Sequence, residues 1–171
     1  SMKRIFSTVF LLFSFSLVFS QEKELTIDQQ HLHLDLQLVP DQGKVIGEVS
    51  LVFKVNSGVT DSVVLNAIRM DIQTLNWNSR DCAFRNTGKE LHISIPAWSH
   101  ATSLDTLTIT YESFPRKGIY FRGWKNGQGI PQIWTQGQGI DHRHWIPHQD
   151  NQTDKLTHSI DIKFPTKYKV V

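Results

Sequence analysis

Strict alternation of apolar and polar side chains constrains this chain more than any other feature. Leu32, Leu34, Leu36 and Leu38 take every second place, with His31, His33, Asp35 and Gln37 set between them. Successive side chains of a strand point to opposite faces, so such a run makes a ribbon with one apolar and one wet side. Pro40-Asp41-Gln42-Gly43-Lys44 has turn chemistry. Residues 45–55 then resume the alternation, with Val49, Leu51, Phe53 and Val55 on one side. The two runs are expected to pair as a hairpin. Shorter runs follow at residues 62–66, 70–77, 83–85, 90–96 and 106–111, with a hairpin turn at Asn86-Thr87-Gly88-Lys89. Residues 158–164 place Ile160, Ile162 and Phe164 on one face, and residues 168–171 begin one more strand. No long segment keeps a helical period with caps. About eight or nine short strands, spaced roughly 8 to 14 residues apart, predict an all-β fold: an antiparallel saddle-like β-sandwich.

The first twenty residues are written differently. Lys3 and Arg4 precede the apolar run of residues 5–18, and Val18-Phe19-Ser20 offers a cleavage site before Gln21. That is the pattern of a secretory signal peptide, too short for a membrane span. The expected division is therefore a signal peptide over residues 1–20 and a β domain over residues 21–171, secreted or periplasmic and without a membrane anchor after cleavage. Export removes Lys3 and Arg4, so 18 basic residues against 16 acidic ones become 16 against 16. A neutral chain with no basic run argues against a nucleic-acid partner. Cys82 is the only cysteine, so no internal disulfide forms, and a buried, unreactive thiol is expected. The chain stops at Val171 within an apparent strand, which suggests a longer natural protein.

Chemistry concentrates in residues 131–150, which hold two tryptophans, three histidines, two glycines and four glutamines. Gly137 lies between Gln136 and Gln138, and Gly139 follows. Glycine at such places allows close approach or positive φ, as a ligand-facing loop requires. His142, His144 and His148 have a spacing that admits a local zinc site, although Arg143 would set a positive charge beside the cation. No His-Glu-x-x-His helix, Gly-x-Ser-x-Gly elbow or phosphate-binding loop occurs. No catalytic residue and no metal ligand is therefore assigned. His31 and His33 are read as solvent-facing. A stand-alone carbohydrate-binding module using Trp124, Trp134 and Trp145 as stacking surfaces is the alternative from another class.

Pro131-Gln132-Ile133-Trp134-Thr135-Gln136-Gly137-Gln138, then Arg143-His144-Trp145-Ile146-Pro147, Asp150 and Asp154-Lys155-Leu156-Thr157 resemble the end of the N-terminal domain of the aminopeptidase N family of zinc metallopeptidases, which includes leukotriene hydrolase. The resemblance extends to residues 31–36, to Gly47-Glu48-Val49-Ser50-Leu51-Val52-Phe53, to Lys117-Gly118-Ile119-Tyr120-Phe121 and to residues 165–171. It implies a saddle-shaped β domain packed on a downstream thermolysin-like catalytic domain. It also implies that the loop bearing Gln136, Gly137, Gln138 and Gly139 enters the active-site cleft. Gln136 and Gln138 would hold the free amino terminus of a peptide substrate there, since an amide oxygen accepts hydrogen bonds from an ammonium. Many relatives carry glutamate where this chain has Gln138, and a neutral amide attracts an ammonium less than a carboxylate does. Zinc would belong to the parent enzyme, bound by the catalytic domain beyond Val171.

Overall fold

The computed structural model describes residues 25–59, 61–99, 103–125, 129–165 and 168–169. The expected signal peptide lies outside the described residues. Among the described residues eleven strands form: β1 Ile27–Val39, β2 Lys44–Val55, β3 Ser62–Asn66, β4 Met70–Trp77, β5 Arg80–Asp81, β6 Phe84–Asn86, β7 Glu90–Ser94, β8 Asp105–Ser113, β9 Gly118–Arg122, β10 Gln132–Gln136 and β11 Thr157–Lys163. The described residues hold no α-helix, only 3-10 turns at Pro40–Gln42 and His142–His144. The main sheet runs β11-β1-β2-β8-β4-β5, a second sheet runs β3-β7-β6, and β9 pairs with β10 alone.

Alternation translates directly into two packed layers. Leu32, Leu34 and Leu36 of β1, Val49, Leu51 and Phe53 of β2, and Leu107, Ile109 and Tyr111 of β8 are buried in the same cluster as Val63, Leu65, Leu91 and Ile93 of the second sheet. Phe53 meets Trp77 edge to face, with ring centroids 5.0 Å apart. The predicted hairpin of β1 and β2 is present, its turn closed by Gly43 at φ 64°. The turn at residues 86–89 joins β6 to β7 in antiparallel register. Cys82 donates its thiol to the Ser94 carbonyl at 3.1 Å, and burial pushes its pKa up.

The expected strands are found within a residue or two, and five points need correction. The arm β9–β10 was not anticipated, because each strand has only five residues, β9 opening on Gly118 and β10 bounded by glutamines. The sheet is not wholly antiparallel, since β11 runs parallel to β1. A parallel neighbour needs a long connection, and the chain between β1 and β11, residues 40–156, provides it. Ile160 and Ile162 share the core-side face with Leu34 and Leu36 by register, yet they are 43% and 46% exposed because the second layer stops short of β11. Tyr168 and Lys169 are not in a strand, and Val170 and Val171 lie outside the described residues. His31 and His33 are half-buried rather than simply solvent-facing: His31 Nδ1 meets Thr157 Oγ1 at 2.8 Å and His33 Nδ1 meets Ser159 Oγ at 2.8 Å. The polar face of β1 thus zips onto β11, and Lys163 closes the row on Asp35 at 2.9 Å.

Candidate functional site

The glutamine loop is an exposed tip on a pinned base. Alternation along β10 puts Gln132, Trp134 and Gln136 on one face and turns Ile133 toward the core. Trp134 stacks on Tyr120 of β9 with centroids 5.5 Å apart, and the ladder ends where Gln136 pairs with Gly118. Gln136 and Gln138 are exposed. Among the described residues neither carboxamide has a hydrogen-bond partner. Gly139 sits at φ 76°, a region open to glycine. Gly137 has ordinary backbone angles and needs glycine for space instead, because an added Cβ would fall on the imidazole of His142.

Below the tip, residues 141–150 are stapled to four parts of the fold. Tyr111 donates its hydroxyl to the Trp145 carbonyl at 2.6 Å, and its pKa is raised by burial. Asn66 and His148 exchange backbone bonds, Asn66 N to His148 O at 2.8 Å and His148 N to Asn66 O at 3.2 Å. Ile68 N reaches the Arg143 carbonyl at 2.8 Å. Gln149 donates to the Ile27 carbonyl at 2.7 Å and accepts from Thr26 N at 2.9 Å, while Gln29 donates to the Gln149 carbonyl at 2.8 Å. A bulge between Gln29 and His31 shifts strand parity, which is why a glutamine of β1 faces inward to meet Gln149.

Arg143 and Asp150 brace the loop as a pair. Asp150 Oδ2 accepts from Arg143 N at 3.1 Å and from Arg143 Nε at 3.2 Å, and the Asp150 carbonyl accepts from Arg143 Nη2 at 2.8 Å. Asp150 Oδ1 lies 3.5 Å from His148 Nε2. Burial by itself would raise the Asp150 pKa, but the bonds and charge of His148 and Arg143 outweigh it and hold the carboxyl down at about 2. His142 and His144 are both lowered, chiefly by burial.

Three rings fill three glycine sockets beneath this site. An alanine at Gly47 would bring its Cβ within 2.6 Å of Tyr111 Cζ, and one at Gly118 would come within 2.6 Å of Trp145 Cδ1. Gly137 with His142 makes the third. The sockets link the main sheet to the base of the tip: Gly47 on β2 admits Tyr111, Tyr111 holds Trp145, and Trp145 packs on Gly118 and His142.

The histidines do not assemble a zinc site. His148 engages the Ile146 carbonyl through Nδ1 at 3.1 Å and Asp150 through Nε2, and His142 faces Gly137. Among the described residues no three His, Cys, Asp or Glu side chains converge to hold a metal, so no step is assigned to zinc here. Nor do the tryptophans form a sugar platform. Trp145 is buried, Trp134 is covered on one face by Tyr120, and Trp124 packs edge-on against Phe164 and Tyr168. A cleft of about 370 Å³ lies between the turn at Pro40 and Gly43 and strand β9, and neither Gln136 nor Gln138 lines it.

Residues 28–171 match the model of the peptidase M1 N-terminal domain. The chain belongs to that family. Among curated proteins none matches the chain. Of solved structures, a two-domain M1 zinc metallopeptidase bound to L-arginine superposes with a TM-score of 0.68 at 17% identity, over 83% of this chain and 33% of that one. An M1 zinc metallopeptidase from Deinococcus radiodurans gives 0.67 at 17% identity, over 81% and 32%. Leukotriene A4 hydrolase from Saccharomyces cerevisiae gives 0.62 at 18% identity, over 82% and 24%. These likenesses establish the fold, and the chain spans a third or less of each structure. Sequence reasoning identified the family correctly but missed two features of this M1 domain. The Gln29–Gln149 staple was hidden by the bulge in β1, and the seat of His142 under Gly137 by the sharp turn of residues 139–142. The glycine between two glutamines was the one local sign of the second.

Proposed function

We propose that this M1 N-terminal domain recognises the free amino terminus of a peptide on behalf of a zinc aminopeptidase, and that it has no hydrolytic activity alone. The observation that carries this reading is the tip itself: two exposed carboxamides without partners among the described residues, carried on a base that buried hydrogen bonds hold still. An ammonium group offers three donors and no acceptor, and two amide oxygens at alternate positions of a slim loop suit it. In this reading the tip enters a cleft completed by a downstream catalytic domain, which supplies the zinc and the hydrolytic residues. Lys3, Arg4 and the apolar run of residues 5–18 support export of the protein to a secreted or periplasmic location.

Kinetics of the natural full-length protein test the reading. Gln138→Ala and Gln136→Ala should each raise KM for unblocked peptides by roughly tenfold or more, the worth of a hydrogen bond to a charged group. Peptides with an acetylated amino terminus should bind poorly and respond little to either change. Wild-type KM in both variants would overturn the assignment. Joining residues 21–171 to the downstream segment should restore hydrolysis that the domain alone lacks.

A further inference from the structure

Gly137 lies between the two proposed contact residues, and its missing Cβ leaves the space that an imidazole occupies. We propose that His142 is a positioning residue: its ring, seated under Gly137, sets the height and tilt of the backbone that carries Gln136 and Gln138. This inference rests on the role just proposed for those glutamines, and adds a residue to it.

The ring is not free to leave its seat. It packs on the Trp145 indole, with centroids 6.0 Å apart, and on the His148 ring at 6.3 Å. Trp145 is fixed in turn by Gly118 and Tyr111. Both neighbours are buried, so a change in the ring is passed upward to the exposed tip rather than downward. His142 Nδ1 is shut off from solvent and has no hydrogen-bond partner among the described residues. A neutral ring can direct an unprotonated nitrogen there, whereas a protonated ring must bury an N–H donor without an acceptor.

The charges around the ring set the direction of its response to pH. His148 and His158, the latter on β11, oppose its protonation, while Asp150 and Asp141 favour it, and burial is the largest influence. The net effect lowers its pKa. Protonation would bring a positive charge beneath the two carboxamides offered to an ammonium, so acid should weaken their hold on an unblocked substrate.

Variants of the natural full-length protein test this. His142→Phe keeps a ring in the seat but cannot protonate. Its KM for an unblocked peptide should stay near the wild-type value above about pH 7, and should lack the part of the wild-type rise that develops below about pH 6.5, with kcat the same in both proteins. His142→Ala empties the seat and should raise KM by about tenfold or more at every pH, with a smaller change in kcat. A readout independent of activity is the pair cycle. Gly137→Ala should lower Tm by several degrees, and adding His142→Ala should recover most of that loss, because the new Cβ enters the vacated space. Additive losses in the cycle would refute the seat itself. Wild-type KM and pH profiles in both His142 variants would refute the positioning role, provided that Gln138→Ala does raise KM. If Gln138→Ala leaves KM unchanged, the role of the glutamines has failed instead, and the Gly137/His142 cycle still decides whether the ring is seated as inferred.

Discussion

At the scale of single residues, the site depends on side chains that are absent as much as on those present. Gly47 lies within the alternating pattern of β2, where a β-branched residue would suit a strand better. It is glycine because Tyr111 crosses over it. Gly47→Ala would force the ring and its bond to Trp145 aside, at about 1–3 kcal/mol, and urea unfolding should show the midpoint falling with little change in slope. Tyr111→Phe removes only the hydroxyl and strands the Trp145 carbonyl, for about 1–3 kcal/mol. Asp150 makes a separate prediction in acid. Its carboxyl is held down at about 2 in the folded state against an ordinary value of about 3.8, so the folded state binds fewer protons between those values. The stability it contributes is complete above about pH 4 and disappears as pH falls toward 2, roughly 2 kcal/mol in all. Asp150→Asn should flatten that part of a Tm-versus-pH curve, and an unchanged curve would show that Arg143 and His148 do not hold the carboxylate ionised.

At the scale of elements, the strands differ in how much depends on each. Strand β2 has neighbours on both sides and a fully buried face. The arm β9–β10 pairs only with itself, and a two-stranded ribbon is marginal unless other parts brace it. Ile119 and the socket at Gly118 are the brace. Native-state hydrogen exchange should therefore rank β1, β2 and β8 slowest, with the free half of β10 opening well below the global unfolding free energy. Equal protection throughout would mean that the arm is fixed more firmly than its pairing indicates. Strand β11 makes the contrast from the other side of the sheet. Replacing both Ile160 and Ile162 by Ala should cost less than Leu34→Ala alone, for which about 2–5 kcal/mol is expected, because β11 lies outside the covered part of the sheet.

On the scale of the whole molecule, the two layers share one apolar cluster, so they should unfold together. Tryptophan fluorescence and far-ultraviolet circular dichroism should give coincident urea transitions, whereas separated transitions would mean that the small sheet folds independently. The sequence by itself determined much of this architecture. The alternation from residue 31 to residue 55 named its own buried face, and the turn residues at 40–44 and 86–89 marked the chain reversals. These features are local, written in the spacing of neighbouring side chains and in backbone angles that few residues adopt. The Thr-Gln-Gly-Gln segment was legible for the same reason, as was the need for glycine beside each glutamine. Tertiary structure alone decided that β11 lies parallel to β1, that Ile160 and Ile162 stay uncovered, that Gln29 turns inward, and that His142 rather than a ligand fills the space at Gly137. Each of these depends on what a distant stretch of chain brings alongside, and neither spacing nor composition encodes which surface a side chain will meet.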